Sequence, residues 1–188
     1  MKKYYLILVV LLSSCDKDYL DVVPDNIPTI DLAFNNRATA LNFLATCYTY
    51  IPEHANVVQN FSMLAGDEIW YYTENDFYMS NETSFRLAKG MQNVSNPYLN
   101  YWEGGRGSHH SLFNALRDCN IFIENLVTVP GLEEEERLRW LDEAKVLKSF
   151  YHFWLMQMYG PIPIIKSNIY VGASAEETNV FRDPVDDV

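Results

Sequence analysis

The stretch from Leu132 to Ile165 limits what this chain can fold into more than any other. Glu133, Glu134, Glu135 and Glu136 crowd its start, where the partial positive charge of a helix N-terminus favours anions. Leu138, Leu141, Ala144, Leu147, Tyr151, Trp154, Leu155, Met158 and Tyr159 follow at steps of three or four, the spacing of one helix face. Gly160 then accepts a left-handed cap and Pro161 cannot continue the ladder, so both end the helix. The pattern predicts one helix from Glu133 to Tyr159, roughly 40 Å long. Its face grows from small to aromatic, placing the densest packing at Phe150 to Tyr159. A helix this long needs other helices to cover it, which makes the expected class all-α.

The rest of the chain supplies them. Asn36 to Ile51 reads as an amphipathic helix, with Asn36 as N-cap, Pro52 as terminator and Ala40, Leu41, Leu44, Cys47, Tyr48 and Ile51 inward. Residues 108–127 form another, capped by Ser108 and striped by Leu112, Phe113, Leu116, Cys119, Phe122, Ile123 and Leu126. Thr128 to Gly131 is the turn into the long helix, so the two form an antiparallel hairpin. Shorter helices are expected at Asn60 to Ala65 and at Glu82 to Lys89, the latter with Phe85, Leu87 and Ala88 inward. No strand alternates convincingly. Cys47 and Cys119 each lie on an apolar face, as buried free thiols or, if the helices touch in suitable geometry, as a disulfide.

Composition narrows the partners. At 188 residues, 48% apolar and 14% aromatic, the chain has enough to bury a core. Its formal charge is −11, and residues 1–14 hold two lysines and no acid, so the remainder is more acidic still. Such a surface repels phosphate backbones and excludes nucleic acid as a partner.

The N-terminus is an address. Lys2 and Lys3 precede an apolar run, Tyr4 to Leu12, too short to be a permanent membrane span. Leu12-Ser13-Ser14-Cys15 resembles a bacterial lipobox, which implies acylation of the Cys15 thiol and removal of residues 1–14 as a signal peptide. Several acyl chains, each contributing about 0.8 kcal/mol per buried CH₂, hold a protein on a membrane without a spanning helix. Asp16, Lys17, Asp18 and Asp21 resemble a surface-export signal in some bacteria, whereas in others an aspartate directly after the cysteine, here Asp16, resembles an inner-membrane retention signal. With Pro24 and Pro28 and no helical period, residues 15–30 read as an extended tether.

Four segments then resemble one family, the SusD/RagB outer-membrane lipoproteins. They are Cys15 to Pro24, Tyr101-Trp102, Leu116 to Glu124, and above all Glu143 to Trp154 running on to Tyr159-Gly160-Pro161-Ile162-Pro163-Ile164. The closing Arg182-Asp183-Pro184-Val185-Asp186-Asp187-Val188 resembles the next helix start of that family, with Asp183 as N-cap and Pro184 at the first position. The resemblance implies tetratricopeptide-like helical hairpins with long irregular loops. It further implies a lid on a TonB-dependent (SusC-like) outer-membrane transporter, capturing glycans or peptides for import. Family members are much longer, so residues 31–188 are expected to be an N-terminal helical domain truncated at its C-terminus.

Chemistry concentrates between Gly66 and Tyr78, where aromatics alternate with carboxylates and amides without a helical or strand period. A sugar offers apolar C–H faces to flat rings and hydroxyls to Asp, Asn and Glu. Trp70, Tyr71, Tyr72, Asn75 and Tyr78 are therefore the candidate glycan contacts; the competing reading has Ile69, Trp70 and Phe77 plugging the core. Trp102 reads as packed on the helix pair, followed by a flexible glycine-rich connection that lacks phosphate-loop features. His109 and His110 point about 100° apart on a helix and share a metal poorly, even with Asp67 or Glu68 nearby. The carboxylates Asp67, Glu68, Glu74 and Asp76 are not fixed as a pair on rigid elements, as a glycosidase needs. His152 reads as a packed histidine rather than a base, and no serine or cysteine sits in a nucleophile context. No catalytic residue, metal ligand or cofactor is assigned. The expected function is surface capture of glycans for uptake. A protein-binding structural or adhesion lipoprotein and a lipid-anchored hydrolase are the competing classes.

Overall fold

A computed structural model describes residues 30–55, 60, 62, 66, 83–95, 97–104 and 110–188. The signal peptide, the tether and Cys15 lie outside the described residues. The chain divides into two units, residues 1–32 and 33–188. Of the first, only residues 30–32 are described; they belong to α1, a single turn over Ile30–Ala33 with no buried residue.

The second unit is helical: α2 (Arg37–Tyr48), α3 (Thr83–Ala88), α4 (Leu112–Asn125), α5 (Glu134–Tyr159) and the short α6 (Ala175–Thr178). Among the described residues the only β pairing is an isolated antiparallel bridge between Ile162 and Asp183. The all-α expectation therefore holds for the part described.

Capping explains the boundaries. The Asn36 side chain accepts the Thr39 N–H at 3.0 Å, the expected N-cap of α2. The long helix begins one residue after its expected first position, with Glu133 as N-cap, and ends where Gly160 adopts φ 71°. α4 starts later than the sequence suggests. Ser111 occupies its N-cap position, but the hydroxyl donates instead to the Trp102 carbonyl at 2.6 Å.

α4 and α5 form the expected antiparallel hairpin. The end of α4 continues into a 3₁₀ turn (Leu126–Thr128), and Gly131 at φ 68° completes the reversal. Arg137 in the first turns of α5 reaches back to the carbonyls of Leu126, Val129 and Leu132. A helix C-terminus leaves its last carbonyls unpaired, and the guanidinium meets that need and its negative dipole end together. At the other end, Tyr159 meets the segment that leads into Leu112. α2 runs parallel to α5: Arg37 grips Glu136 through two hydrogen bonds, of 2.9 and 2.6 Å, and Tyr48 reaches Glu143 a few turns later.

The core sits between these three helices. Ala40, Leu44 and Cys47 of α2 meet Leu112, Ala115, Leu116, Cys119 and Phe122 of α4 and Trp140, Ala144, Leu147, Tyr151 and Leu155 of α5. Three expectations about faces change. Leu138 is 51% exposed, whereas Trp140, not assigned inward from the sequence, is buried at 3%. Side chains two positions apart on a helix point about 200° from each other, so only one could join the stripe that Ala144 and Leu147 continue. On α2, Leu41, Tyr48 and Ile51 are exposed and the helix stops at Tyr48, because a single stripe suffices between two neighbours. In α3 Phe85 is buried as expected, but Ala88 is exposed.

The densest aromatic packing does lie near the end of α5. Trp154 meets His54 edge-on at 4.7 Å and Tyr101 at 6.1 Å, with Phe150 at 6.0 Å. Cys47 and Cys119 are free and fully buried. The neighbouring Cys119 thiol together with burial pushes the Cys47 thiol up from its ordinary pKa.

Candidate functional site

Trp70, Tyr71, Tyr72, Asn75 and Tyr78 lie outside the described residues, as do Asp67, Glu68, Glu74, Asp76 and His109. His110 is described and packs edge-on against Tyr50 at 5.6 Å. On the N-terminal approach to the aromatic stretch, Asn60 is buried; its amide donates to the His54 carbonyl at 3.0 Å and its oxygen accepts from Ser62.

A groove of about 410 Å³ opens beside the hairpin, where residues 92–94 and 97–103, the end of α5 and Arg182 come together. Its geometry starts from backbone strain. Leu99 has φ 48°, a left-handed conformation that costs a non-glycine residue about 1–2 kcal/mol. Surrounding bonds hold it there: the Tyr159 hydroxyl donates to the Leu99 carbonyl at 3.4 Å and accepts the Tyr101 N–H at 3.1 Å. Burial raises the pKa of that phenol, keeping it protonated and able to donate. Next in the chain, the Asn100 amide donates to the Gly104 carbonyl and its oxygen accepts the Glu103 N–H. Residues 100–104 thus form a closed turn, while residues 105–107 of the expected flexible connection lie outside the described residues. Gln92 clasps the other side, accepting from the Tyr98 N–H at 2.6 Å and donating to the Tyr98 carbonyl at 3.0 Å.

This frame presents Trp102. As the sequence suggested, its indole packs on the helix pair, edge-on to Phe113 at 4.8 Å and to Tyr159 at 5.3 Å. It is only half-buried, and the guanidinium of Arg182 lies over its ring at 4.8 Å. Arg182 arrives from far along the chain. Asp183 donates its N–H to the Ile162 carbonyl and accepts the Ile164 N–H at 2.7 Å, and Arg182 itself donates to the Pro161 carbonyl at 3.2 Å. Asp183 is therefore spent on the bridge rather than on capping a helix, and Pro184 leads into a single 3₁₀ turn, Val185–Asp187. No spacing in the sequence announces the meeting of Arg182 with Trp102, since 80 positions separate them.

A family model described as starch-binding and associating with the outer membrane, SusD-like, matches residues 18–188. The chain belongs to the SusD-like family. No curated protein matches it. The match covers nearly the whole chain, including all four segments on which the resemblance rests except Cys15 to Lys17. In this SusD-like chain no described helix is both long enough and apolar enough to cross a membrane. The 26-residue α5 fails on polarity, since it opens on three glutamates and carries Asp142, Glu143, Lys145 and Lys148 further on. Among the described residues no three His, Cys, Asp or Glu side chains converge in a way that could hold a metal ion. His152 is committed to structure: its Nδ1 meets the Lys148 carbonyl at 2.8 Å and its Nε2 accepts the Ile165 N–H at 3.0 Å.

Proposed function

We propose that this chain is a lipid-anchored protein of the outer-membrane surface that binds glycans and delivers them to a TonB-dependent, SusC-like transporter for import. It binds and does not transform. The observation that carries this reading is the SusD-like match over residues 18–188, whose description joins starch binding to the outer membrane. On this reading residues 1–14 are a lipoprotein signal peptide, Cys15 carries the acyl chains, and residues 15–30 hold residues 31–188 clear of the lipid. The antiparallel α4–α5 pair supports a tetratricopeptide-like helical body, a scaffold whose stacked pairs offer broad partner surfaces. Trp70, Tyr71, Tyr72, Asn75 and Tyr78 supply flat apolar faces and an amide for a sugar.

Affinity electrophoresis against soluble starch, xylan, mannan and pectin tests the ligand class, with retardation by at least one polymer expected. Trp70→Ala and Tyr72→Ala together should abolish that retardation without unfolding the protein. Retardation that survives both changes overturns the assignment of the loop. Labelled palmitate should enter the wild type and not Cys15→Ala, and a barrel-sized membrane protein should co-purify. Failure of palmitate incorporation, or protection of the protein from protease on intact cells, overturns the anchored surface reading.

A further inference from the structure

We propose that the groove at Trp102 is itself a sugar-binding site, taking a pyranose unit of a neutral glycan with residues other than the 66–78 stretch. The ligand class rests on the glycan-uptake reading; the location rests on the groove alone.

A volume of about 410 Å³ is enough for a small ligand, toward the lower end of the roughly 300–1,000 Å³ span of such clefts, and too small for a folded partner. Trp102 and Tyr159 give it aromatic surface, and the two rings brace each other at 5.3 Å. Gln92 and Asn100 spend their amides on the backbone, so they fix the walls rather than meet a ligand. Two polar groups keep capacity in hand. The Glu103 carboxylate makes no hydrogen bond or ion pair among the described residues, and Arg182 uses Nη1 on Pro161 while its other nitrogens make none there. One is an acceptor, the other a fork of donors, and their charges cancel. A hydroxyl both gives and accepts, so a neutral polyol suits this pair, whereas an anion or cation would meet attraction and repulsion together.

Arg182 defines how the site works. Its guanidinium occupies the Trp102 ring in the free protein, at 4.8 Å from the centroid. A pyranose stacking on the indole takes that place, and the displaced guanidinium becomes a hydrogen-bond donor to the sugar's hydroxyls. The cation–π contact thus keeps the indole covered without burying it permanently. The strained Leu99 and its bonds to Tyr159 fix the frame in advance, so little ordering entropy opposes binding.

The test uses the full chain and the polymer that retards it most, or soluble starch if none stands out, with affinity read by isothermal titration and folding by thermal unfolding. Glu103→Gln and Arg182→Ala alter exposed groups and should leave unfolding unchanged while weakening binding roughly tenfold each, the loss of one charge-assisted hydrogen bond. Trp102→Phe should weaken it comparably. If the wild type binds and Glu103→Gln and Arg182→Ala bind as well as it does, the groove is not a site, and the glycan reading stands without it. If the wild type binds none of the polymers, the glycan reading itself fails and the groove proposal with it. Should Trp102→Phe fail to fold, the two surface variants decide the matter.

Discussion

Replacing Tyr151 by phenylalanine deletes a single oxygen, yet it removes the donor that completes α2. Tyr151 is 0% exposed, and its hydroxyl donates to the Cys47 carbonyl in the last turn of that helix. The turn beyond passes this carbonyl by: the Thr49 N–H bonds the Thr46 carbonyl and the Ile51 N–H bonds the Tyr48 carbonyl. Burial also pushes the Tyr151 phenol well above its ordinary pKa, so it stays a donor across the physiological range. In Tyr151→Phe the ring still fills its space, but a buried carbonyl loses its partner, at a cost of about 1–3 kcal/mol. Taking about 2 kcal/mol and the sensitivity of a chain this size, the Tm should fall by roughly 4–8 °C. Tyr48→Phe is the control. It removes a hydroxyl that bonds Glu143 at 3.1 Å from a residue 41% exposed, and should change stability by less than about 0.5 kcal/mol. Urea unfolding followed by circular dichroism measures both. Equal midpoints for the two variants would refute the claim that α2 is fastened to α5 through this bond.

His152 gives the fold a pH dependence. Burial lowers its pKa below 6.5, so the unfolded chain takes up the proton first, and the stability present above pH 6.5 drains away as pH falls through the folded value. His152→Gln should flatten the slope of unfolding free energy between pH 7 and the range where carboxylates titrate; an unchanged slope would show that the ring does not titrate there. Gly160→Ala places a Cβ at φ 71° and ψ −130°, outside the left-handed helical region but with open space around it, so only backbone strain resists, and a loss of about 1–3 kcal/mol is expected in urea unfolding. The buried Cys47 and Cys119 thiols should resist iodoacetamide at pH 8 in native protein and react once urea unfolds it, as read by mass spectrometry; prompt alkylation of either in the native state would contradict the packing of α2 on α4.

The sequence alone determined the helical class and the long α5, because a periodic apolar stripe, acidic residues at its start and a Gly-Pro stop are local signals that tertiary packing had no reason to override. It also determined the Asn36 cap and the burial of the two cysteines. The aromatic candidates between Trp70 and Tyr78 were legible as chemistry, since their residue types and alternation are visible without a fold. The inward face of α5 from Ala144 to Leu155 was legible as well, but which residue opens it needed the structure, since Leu138 and Trp140 are both apolar and only the placement of α2 and α4 chooses between them. The groove needed it as well. Trp102, Tyr159 and Arg182 sit on segments with no shared period, and Asp183, which reads locally as a helix cap, finds a better partner in the backbone of Ile164 only once the chain has folded back on itself. Local hydrogen bonds and periodicity are written in adjacent residues; contacts across 80 positions are settled by whichever packing buries the most surface.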